Sequence, residues 1–442
     1  MPTPASKYKQ FIFESYNFDR QTGKLELHYA MDDALHFTET YTFAFPYVEY
    51  EPKALDRAVQ ALFFIAGTSY YKTYIPPEIV VRTGDLDAEM AAFFSKTYQR
   101  GLGEFWYVNK LDPNTPVVFP VTKDTIQTVA HEGSGQLIAI GGGKDSLVTV
   151  ELLRREGADI STWSLNHRPQ LTPLIERIGL PHCWVERGWD PQLFELKEKD
   201  AYNGHVPISA IFGCVGVIVA ILSGKRDIVV SNEQSANEPT LHYRGVAINH
   251  QYSKSEAFEA DFQVYLQHNF GDSIRYYSLL RPFTEIRIGE IFAHIGWEKY
   301  NDVFSSCNRA YVHGSDRMSW CGTCPKCAFV FMALTPFIPR TQLESLWGGK
   351  NVLLDPKLES TYRSLLGIEG DKPLECIGEI KESRAAMRLA EEKYPELQGK
   401  YEYALPAGYD VRKLGSHKMP PDIYALFKKA TSDFRLSGEQ PE

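Results

Sequence analysis

The sequence lacks the basic excess that proteins bound to a nucleic-acid backbone usually carry. Its 442 residues include 47 lysines and arginines against 56 aspartates and glutamates, which gives a formal net charge of −9. This balance counts against a general role on DNA or RNA, so we expect no nucleic-acid partner. Aromatic residues make up 13% of the chain, enough to build large cores and to argue against wholesale disorder.

Long apolar runs are absent as well. The longest, residues 208–222, is shorter than the ~20 residues that a membrane-spanning helix needs, so we predict a buried helix there and no membrane association. The first ten residues are polar and lack the apolar stretch of a secretory signal. We therefore expect a cytoplasmic protein. Its seven cysteines are then more often metal ligands, catalytic groups or core residues than disulfides.

Two hydrophobic patterns divide the chain. Residues 11–45 alternate between apolar and polar positions, with Glu39 as the exception on the apolar face, which predicts an antiparallel meander. From Gln136 onward, short apolar strands alternate with helices, which indicates a parallel sheet covered by helices. We predict an α/β protein with three parts. They are an N-terminal α+β domain rich in antiparallel strands (1–125), a parallel-sheet core domain (126–350) and a helical C-terminal segment (351–442).

A glycine-rich stretch, which we call the glycine loop (Gly141, Gly142, Gly143, Lys144, Asp145 and Ser146), joins a predicted strand to a predicted helix. Glycines let backbone N–H groups approach a phosphate, and the helix N-terminus adds unpaired donors. Asp145 could hold Mg²⁺. Neither a Walker A loop nor a dinucleotide fingerprint fits, because Asp145 follows Lys144 and the glycine spacing differs. The loop resembles the Ser-Gly-Gly-x-Asp-Ser signature of PP-loop ATP pyrophosphatases, with Gly141 in place of the first serine, and so predicts ATP as a ligand.

Polar residues follow two other predicted strands. Ser164 and Asn166 end one strand, and Asn232 follows another. Ligands of open parallel sheets bind outside the carboxyl ends of the strands. By analogy with the PP-loop enzymes, we expect these three residues to complete the nucleotide pocket.

Four of the seven cysteines are clustered: Cys307, Cys321, Cys324 and Cys327. Four thiolates suit a tetrahedral Zn²⁺ and leave no position for water, so a zinc ion here would be structural. An iron–sulfur cluster and a set of buried thiols are the alternatives. The layout also resembles the zinc site of the 7-cyano-7-deazaguanine synthases, which are PP-loop enzymes.

Several longer motifs match one family more closely. They are Ser231-Asn232-Glu233-Gln234-Ser235-Ala236-Asn237-Glu238, Asn249-His250-Gln251-Tyr252-Ser253-Lys254-Ser255, Phe304-Ser305-Ser306-Cys307-Asn308-Arg309 and Lys372-Pro373-Leu374-Glu375-Cys376. With the cysteine motif and the N-terminal β region, the sequence resembles the MurL family over nearly its whole length. These are UDP-N-acetylmuramoyl-L-alanyl-L-glutamate epimerases of peptidoglycan synthesis, involved in cell shape and division.

The resemblance implies an ATP-dependent isomerase acting on UDP-MurNAc-L-Ala-L-Glu. Adenylation of the carboxylate next to the α-carbon of the terminal glutamate would release pyrophosphate and acidify the α-hydrogen. Hydrolysis of the acyl adenylate would then release AMP. We expect Lys144, Asp145 and Ser146 to act on ATP, and Glu233 or His250 to move the proton. Glu238 and His242 are further proton-transfer candidates. Candidate grips for the substrate carboxylate or diphosphate are Lys254, Arg244, Arg275 and Arg281.

Two other functions stay open from the motifs alone. The first is a PP-loop enzyme that modifies a nucleobase or transfer RNA. The second is a zinc-stabilised nucleotide-binding protein without catalytic activity, against which Asp145 argues, since binding alone needs no magnesium ligand beside the phosphates. Residues 237–255 are polar and predict a loop that could close over the site.

Overall fold

The computed structural model describes residues 6–196 and 201–434, within which lie eleven strands and sixteen α-helices. The strands are β1 (Gln10–Asp19), β2 (Lys24–Met31), β3 (Leu35–Phe43), β4 (Glu78–Val81), β5 (Gln136–Ala139), β6 (Ile160–Leu165), β7 (His182–Gly188), β8 (Asp227–Val230), β9 (Leu241–Tyr243), β10 (Val246–Ile248) and β11 (Arg275–Ser278).

The helices cover the faces of the sheet, and the last three lie in the C-terminal part. They are α1 (Pro52–Ala66), α2 (Thr68–Tyr71), α3 (Ala88–Gly101), α4 (Gly103–Val108), α5 (Lys144–Arg155), α6 (Arg168–Ile178), α7 (Gln192–Leu196), α8 (Ile208–Ser223), α9 (Glu256–Phe270), α10 (Glu285–Ile295), α11 (Trp297–Tyr300), α12 (Pro325–Leu334), α13 (Arg340–Ser345), α14 (Glu359–Leu365), α15 (Ile380–Lys393) and α16 (Pro421–Ala430).

Nine strands form one continuous sheet in the order β11-β8-β5-β6-β7-β3-β2-β1-β4. Within the run β11-β8-β5-β6-β7, each strand is parallel to the next. The pairs β7–β3, β3–β2 and β2–β1 are antiparallel. In the parallel half, β6 and β7 follow on one side of β5, and β8 and β11 follow on the other side. Because β6 lies on one side of β5 and β8 on the other, we expect a crevice at the carboxyl ends of β5 and β8, where sheets of this kind bind ligands.

Apolar side chains fill cores on both faces of this sheet. Neighbouring residues of one strand belong to different cores: Leu137 packs in the core with α1 and α8, and Ile138 in the core with α5 and α10. This alternation follows from the two-residue period of a strand. The helix predicted at residues 208–222 is confirmed as α8, which is buried along most of its length. Among the described residues, the helices are too short or too polar to cross a bilayer.

The mixed α/β architecture with a mostly parallel sheet is confirmed, and so is the antiparallel meander, formed by β1, β2 and β3. The meander does not have a separate sheet, because β3 pairs with β7 and joins it to the parallel strands. The three-part division at residues 125 and 350 stays a prediction. The stretch from 109 to 135 has no helix or strand, and residues 237–255 contain the hairpin of β9 and β10.

The junction of β3 and β7 explains the acidic residue in the apolar face. Glu39 is fully buried, and its carboxylate accepts hydrogen bonds from Arg187 Nε at 2.9 Å and from the Tyr41 hydroxyl at 2.6 Å. The Arg187 guanidinium also donates to Ser69 Oγ. A buried charge is tolerated when it is paired. Glu39 on β3 is paired with Arg187 on β7, so the two strands must be neighbours.

Removal of one member of this pair should destabilise the fold more than removal of both. We expect Glu39→Leu to lower the free energy of unfolding by about 3–5 kcal/mol, because Arg187 then stays buried without its counter-ion. The double variant Glu39→Leu/Arg187→Met should lose clearly less. Urea unfolding followed by circular dichroism measures both. A double variant as unstable as the single one would show that the pair contributes more than charge compensation.

Candidate active site

The glycine loop lies where the sheet topology places the crevice. It follows β5 directly, and α5 begins at Lys144. Gly142 has φ of +86°, and a Cβ added there would lie 2.4 Å from Met318 Sδ. A Cβ on Gly141 would meet no atom within 4 Å. The loop is therefore packed against protein at Gly142 and open at Gly141, as a loop that admits an anion at its backbone must be.

The segment before the first clustered cysteine holds the glycine loop in place. Ser305 N donates to the Gly142 carbonyl at 3.0 Å, and Lys144 N donates to Ser306 Oγ at 3.2 Å. The Tyr311 hydroxyl donates to the Gly141 carbonyl at 2.8 Å. The loop and the cysteine cluster, separate in sequence, thus form one structural unit.

Lys144 is buried and does not project into the crevice as an isolated cation. Its ammonium contacts the carboxylates of Asp145 and Glu285. Glu285 also accepts from Lys326 Nζ at 2.9 Å. Burial alone would raise the pKa of Glu285, but the two ammonium groups lower it to about 2. The side chain of Asp145 is 23% exposed, and burial raises the pKa of its carboxyl against the opposing charge of Lys144.

The remaining predicted nucleotide ligands make contacts within the fold. Ser146 Oγ donates to the Gly143 carbonyl at 3.1 Å, and Ser164 Oγ to the Ile140 carbonyl at 2.9 Å. Asn166 Oδ1 accepts from Arg187 N at 2.6 Å, and the Asn232 carbonyl accepts from Ser278 Oγ. These bonds shape the carboxyl ends of β5, β6 and β8. A direct role of these residues toward ATP stays a prediction.

Arg281 organises the region after β8. Its guanidinium is fully buried, pairs with Glu259 at 2.9 Å and donates to the backbone carbonyls of Glu233 and Lys254. Glu233 is buried and lies near enough to Asp145 and Lys254 for its charge to act on the pKa values of both. Arg281 therefore positions two site residues and is itself already neutralised.

The predicted proton-transfer residue His250 lies in a second group of polar side chains. Its Nδ1 contacts Glu104 Oε2, and its Nε2 lies 3.9 Å from Cys376 Sγ. Lys254 Nζ lies 3.2 Å from the same sulfur. His205 Nδ1 lies 3.6 Å from Glu104 Oε2. We call Glu104, His250, Lys254 and Cys376 the thiol cluster.

Other candidates lie elsewhere or have partners. Glu238 accepts from Lys372 Nζ at 2.8 Å, and Arg275 pairs with Asp227 and Asp422. His242 and Arg244 are exposed at the hairpin of β9 and β10.

The four clustered cysteines converge on one point. All four sulfur atoms lie within 4.8 Å of one another, and the Cys307–Cys324 and Cys321–Cys327 Sγ distances are both 3.8 Å. Tetrahedral zinc with Zn–S bonds of about 2.3 Å requires S···S distances of about 3.8 Å. Thiolates that bind four different irons of a cluster must lie farther apart. The donor set therefore fits a single tetrahedral ion.

Sequence reasoning missed Glu285, Lys326, Glu104 and Cys376 as site residues. Lys326 offered a local signal, because it stands between two clustered cysteines at the start of an apolar helix. Cys376 belongs to one of the family motifs, but the motif alone indicates no role for it. Glu285 and Glu104 lie in segments whose contacts with the site depend on the tertiary fold.

With this geometry, the chain is an α/β protein with a large, mostly parallel sheet, and its glycine loop lies at the carboxyl end of a parallel strand. Family models of the MurL N-terminal domain and the MurL C-terminal domain match residues 3–279 and 303–401. The chain therefore belongs to the MurL family and is an epimerase, an enzyme of the isomerase class.

Three curated relatives carry the name UDP-N-acetyl-alpha-D-muramoyl-L-alanyl-L-glutamate epimerase. The protein from Xanthomonas oryzae pv. oryzae is 37% identical, over 96% of this chain and 98% of its own. The one from Salinispora tropica is 39% identical, over 87% and 85%. The one from a Micromonospora species is 37% identical, over 87% of each chain. A non-catalytic nucleotide-binding protein, one of the alternatives from the motifs, is thereby wrong.

The buried carboxylate of Glu285 should stabilise the fold in a pH-dependent way. Its pKa is depressed in the folded state from an ordinary 4.5 to about 2, so its contribution is present above pH 4.5 and is lost as the pH falls toward 2. We expect Glu285→Gln to lower the free energy of unfolding by about 3 kcal/mol at pH 7. The gap to wild type should narrow by about 1 kcal/mol at pH 3.5.

Urea titrations at the two pH values measure this gap. Glu298→Gln is the matched control, because Glu298 is exposed and its substitution should change stability by less than about 0.5 kcal/mol. A gap that stays constant with pH would contradict the depressed pKa.

Proposed function

We propose that the enzyme converts the terminal L-glutamate of UDP-MurNAc-L-Ala-L-Glu to D-glutamate for peptidoglycan synthesis, and that it uses ATP to do so. The observation that carries the substrate is the shared name of three relatives that align with most of this chain. The observation that carries ATP is the glycine loop, which stands at the strand–helix junction of the crevice and is open at Gly141. We further propose that the loop is of the PP-loop type and that the enzyme acts in the cytoplasm.

The chemistry explains why ATP is useful here. Loss of the α-proton next to a free carboxylate would place two negative charges on adjacent atoms. In the proposed reaction a carboxylate oxygen attacks the α-phosphorus of ATP, and pyrophosphate leaves. The mixed anhydride carries one negative charge less at the carboxyl group, so the α-proton becomes more acidic. After proton exchange, water cleaves the anhydride to give the D-glutamyl product and AMP.

The residues of the loop divide this work. Backbone N–H groups at Gly141 to Gly143 and the N-terminus of α5 would bind the phosphates. Asp145, whose side chain is partly exposed, would hold Mg²⁺, which would neutralise part of the negative charge of the phosphates. Lys144 would not contact ATP directly but would position Asp145, through its contacts with Asp145 and Glu285. Ser146 keeps the loop in shape through its bond to Gly143.

We propose that the cysteine cluster holds one structural Zn²⁺. The 3.8 Å sulfur distances support it, and so does a donor set of four thiolates, which is enough to complete a tetrahedron. The ion would tie the segment that supports the glycine loop to the start of α12, and it would take no part in proton transfer.

Epimerisation should require ATP and should form pyrophosphate. We expect the purified protein with ATP, Mg²⁺ and UDP-MurNAc-L-Ala-L-Glu in D₂O to release pyrophosphate and AMP and to yield D-glutamate with deuterium at the α-carbon. Asp145→Asn should lower pyrophosphate release by at least about 100-fold. Asp124→Asn, at an exposed aspartate between the meander and the glycine loop, should leave it unchanged. D-glutamate formation without pyrophosphate release would contradict the adenylation route.

Elemental analysis should find one zinc ion per chain. We expect Cys321→Ser to lose zinc and to unfold at a lower temperature, since structural zinc sites contribute directly to folding. Cys183→Ala, which removes a cysteine outside the cluster, should keep the full zinc content. Iron together with acid-labile sulfide would show that the ion is an iron–sulfur cluster instead.

A further inference from the structure

Three cysteines lie outside the four-cysteine cluster, and the structure separates them. Cys214 is buried in α8 and Cys183 in β7. Burial raises the pKa of both thiols, that of Cys183 to about 12. Cys376 is partly exposed and has Lys254 Nζ at 3.2 Å and His250 Nε2 at 3.9 Å from its sulfur. Cys376 is thus placed as a reactive thiol and the other two as core residues.

The two neighbours of Cys376 are both suited to stabilise a thiolate. Burial would raise the pKa of the Cys376 thiol, but the positive charge of Lys254 and the hydrogen bond from His250 lower it to about 7. Burial would lower the pKa of His250, yet Cys376 and Glu104 raise it to about 9. The contacts in the thiol cluster therefore favour a thiolate at Cys376 beside an imidazolium at His250.

The thiol cluster is tied to the glycine loop through Lys326. The backbone N–H of Lys326 donates to Glu375 Oε2 at 2.9 Å, next to Cys376 in the chain. The ammonium of the same residue pairs with Glu285, which in turn contacts Lys144. Lys254 is held from the other side by Arg281. Contacts of buried side chains thus fix the thiol relative to the proposed ATP site.

We propose that Cys376 is the catalytic base of the epimerisation, with Lys254 and His250 keeping it as a thiolate. This inference rests on the proposed function. In the step itself, the thiolate sulfur forms a bond to the α-hydrogen of the adenylated glutamyl residue. The carbon–hydrogen electron pair moves into the activated carboxyl group, giving an enolate. The α-carbon then regains a proton on its opposite face from an acid that exchanges with solvent.

His250 is a positioning residue in this scheme. Its Nδ1 contacts Glu104 and its Nε2 faces the sulfur, so both ring nitrogens are already engaged. In this scheme His250, which the sequence suggests as a proton-transfer residue, instead positions Cys376 and stabilises its thiolate.

The base assignment separates two measurable activities. We expect Cys376→Ser and Cys376→Ala to lower deuterium incorporation and D-glutamate formation by about 100- to 10,000-fold, the range over which a general base contributes. Substrate-dependent pyrophosphate release should stay within a few-fold of wild type, because adenylation does not use the thiol. Cys183→Ala is the matched control and should keep both activities.

The outcomes distinguish this inference from the proposed function. Absence of substrate-dependent pyrophosphate from the wild-type enzyme would overturn the ATP route but not the role of Cys376, which deuterium exchange in wild type and Cys376→Ser still tests. Near-normal exchange in Cys376→Ala would overturn the base assignment. So would an equal loss of both activities in a folded variant, or a covalent bond between Cys376 and the substrate detected by mass spectrometry.

Alkylation gives a second measurement that does not depend on turnover. The charged groups that face the thiol are Lys254, His250 and Lys326, and His250 in turn faces Glu104 and His205. We expect iodoacetamide to modify Cys376 of the zinc-loaded protein with a half-maximal rate near pH 7 and much faster than Cys183. Lys254→Gln should move this midpoint upward by about one pH unit or more.

A midpoint near pH 9, the value for an ordinary thiol, would overturn the thiolate assignment. Two zinc ions per chain, one of them lost in His250→Ala, would also overturn it, because Glu104, His205 and His250 would then be metal ligands.

Discussion

The buried carboxylate of Glu285 is the interaction on which the site depends, because it lies between ammonium groups from two distant segments. Lys144 belongs to the glycine loop, and Lys326 lies in the first turn of α12, between two of the clustered cysteines. A buried cation is tolerated when it is paired. A shared counter-ion therefore fixes the loop and the helix relative to each other. Since Lys144 is neutralised in this way, the proposed binding of phosphate at the loop would rely on backbone donors and on the N-terminus of α5.

A second buried pair has the same role at the other joint of the sheet. Glu39 and Arg187 connect the antiparallel meander to the parallel strands, as Glu285 connects the loop to α12. Such pairs add little net stability compared with apolar residues, but a partner that is missing costs a great deal. We infer that they specify which segments come together, while the apolar cores on both faces of the sheet provide most of the stabilisation.

Local sequence patterns predicted the elements but not their neighbours. Periodicity located β1, β2, β3, α5, β6 and α8, because each has a repeat that its own residues define. The pairing of β3, at the edge of the meander, with β7 could not be predicted, because no local repeat encodes which strands become neighbours. Glu39 was the one visible sign, as an acid in an apolar face. The glycine loop and the cysteine cluster were found because their residues are close in sequence. The thiol cluster draws on Glu104, His250, Lys254 and Cys376, which the tertiary fold brings together.

The proposed chemistry explains why the two sites must be adjacent. The carboxyl carbon that is adenylated is bonded directly to the α-carbon that loses its proton. The base must therefore lie within a few ångströms of the group that reacts with ATP. Lys326 connects the two sites, since its side chain pairs with Glu285, which contacts Lys144, while its backbone N–H donates to Glu375 beside Cys376. The cysteine cluster fixes the start of the helix that carries Lys326. An ion bound there would thus stabilise the spacing between carboxylate activation and proton removal without touching the substrate.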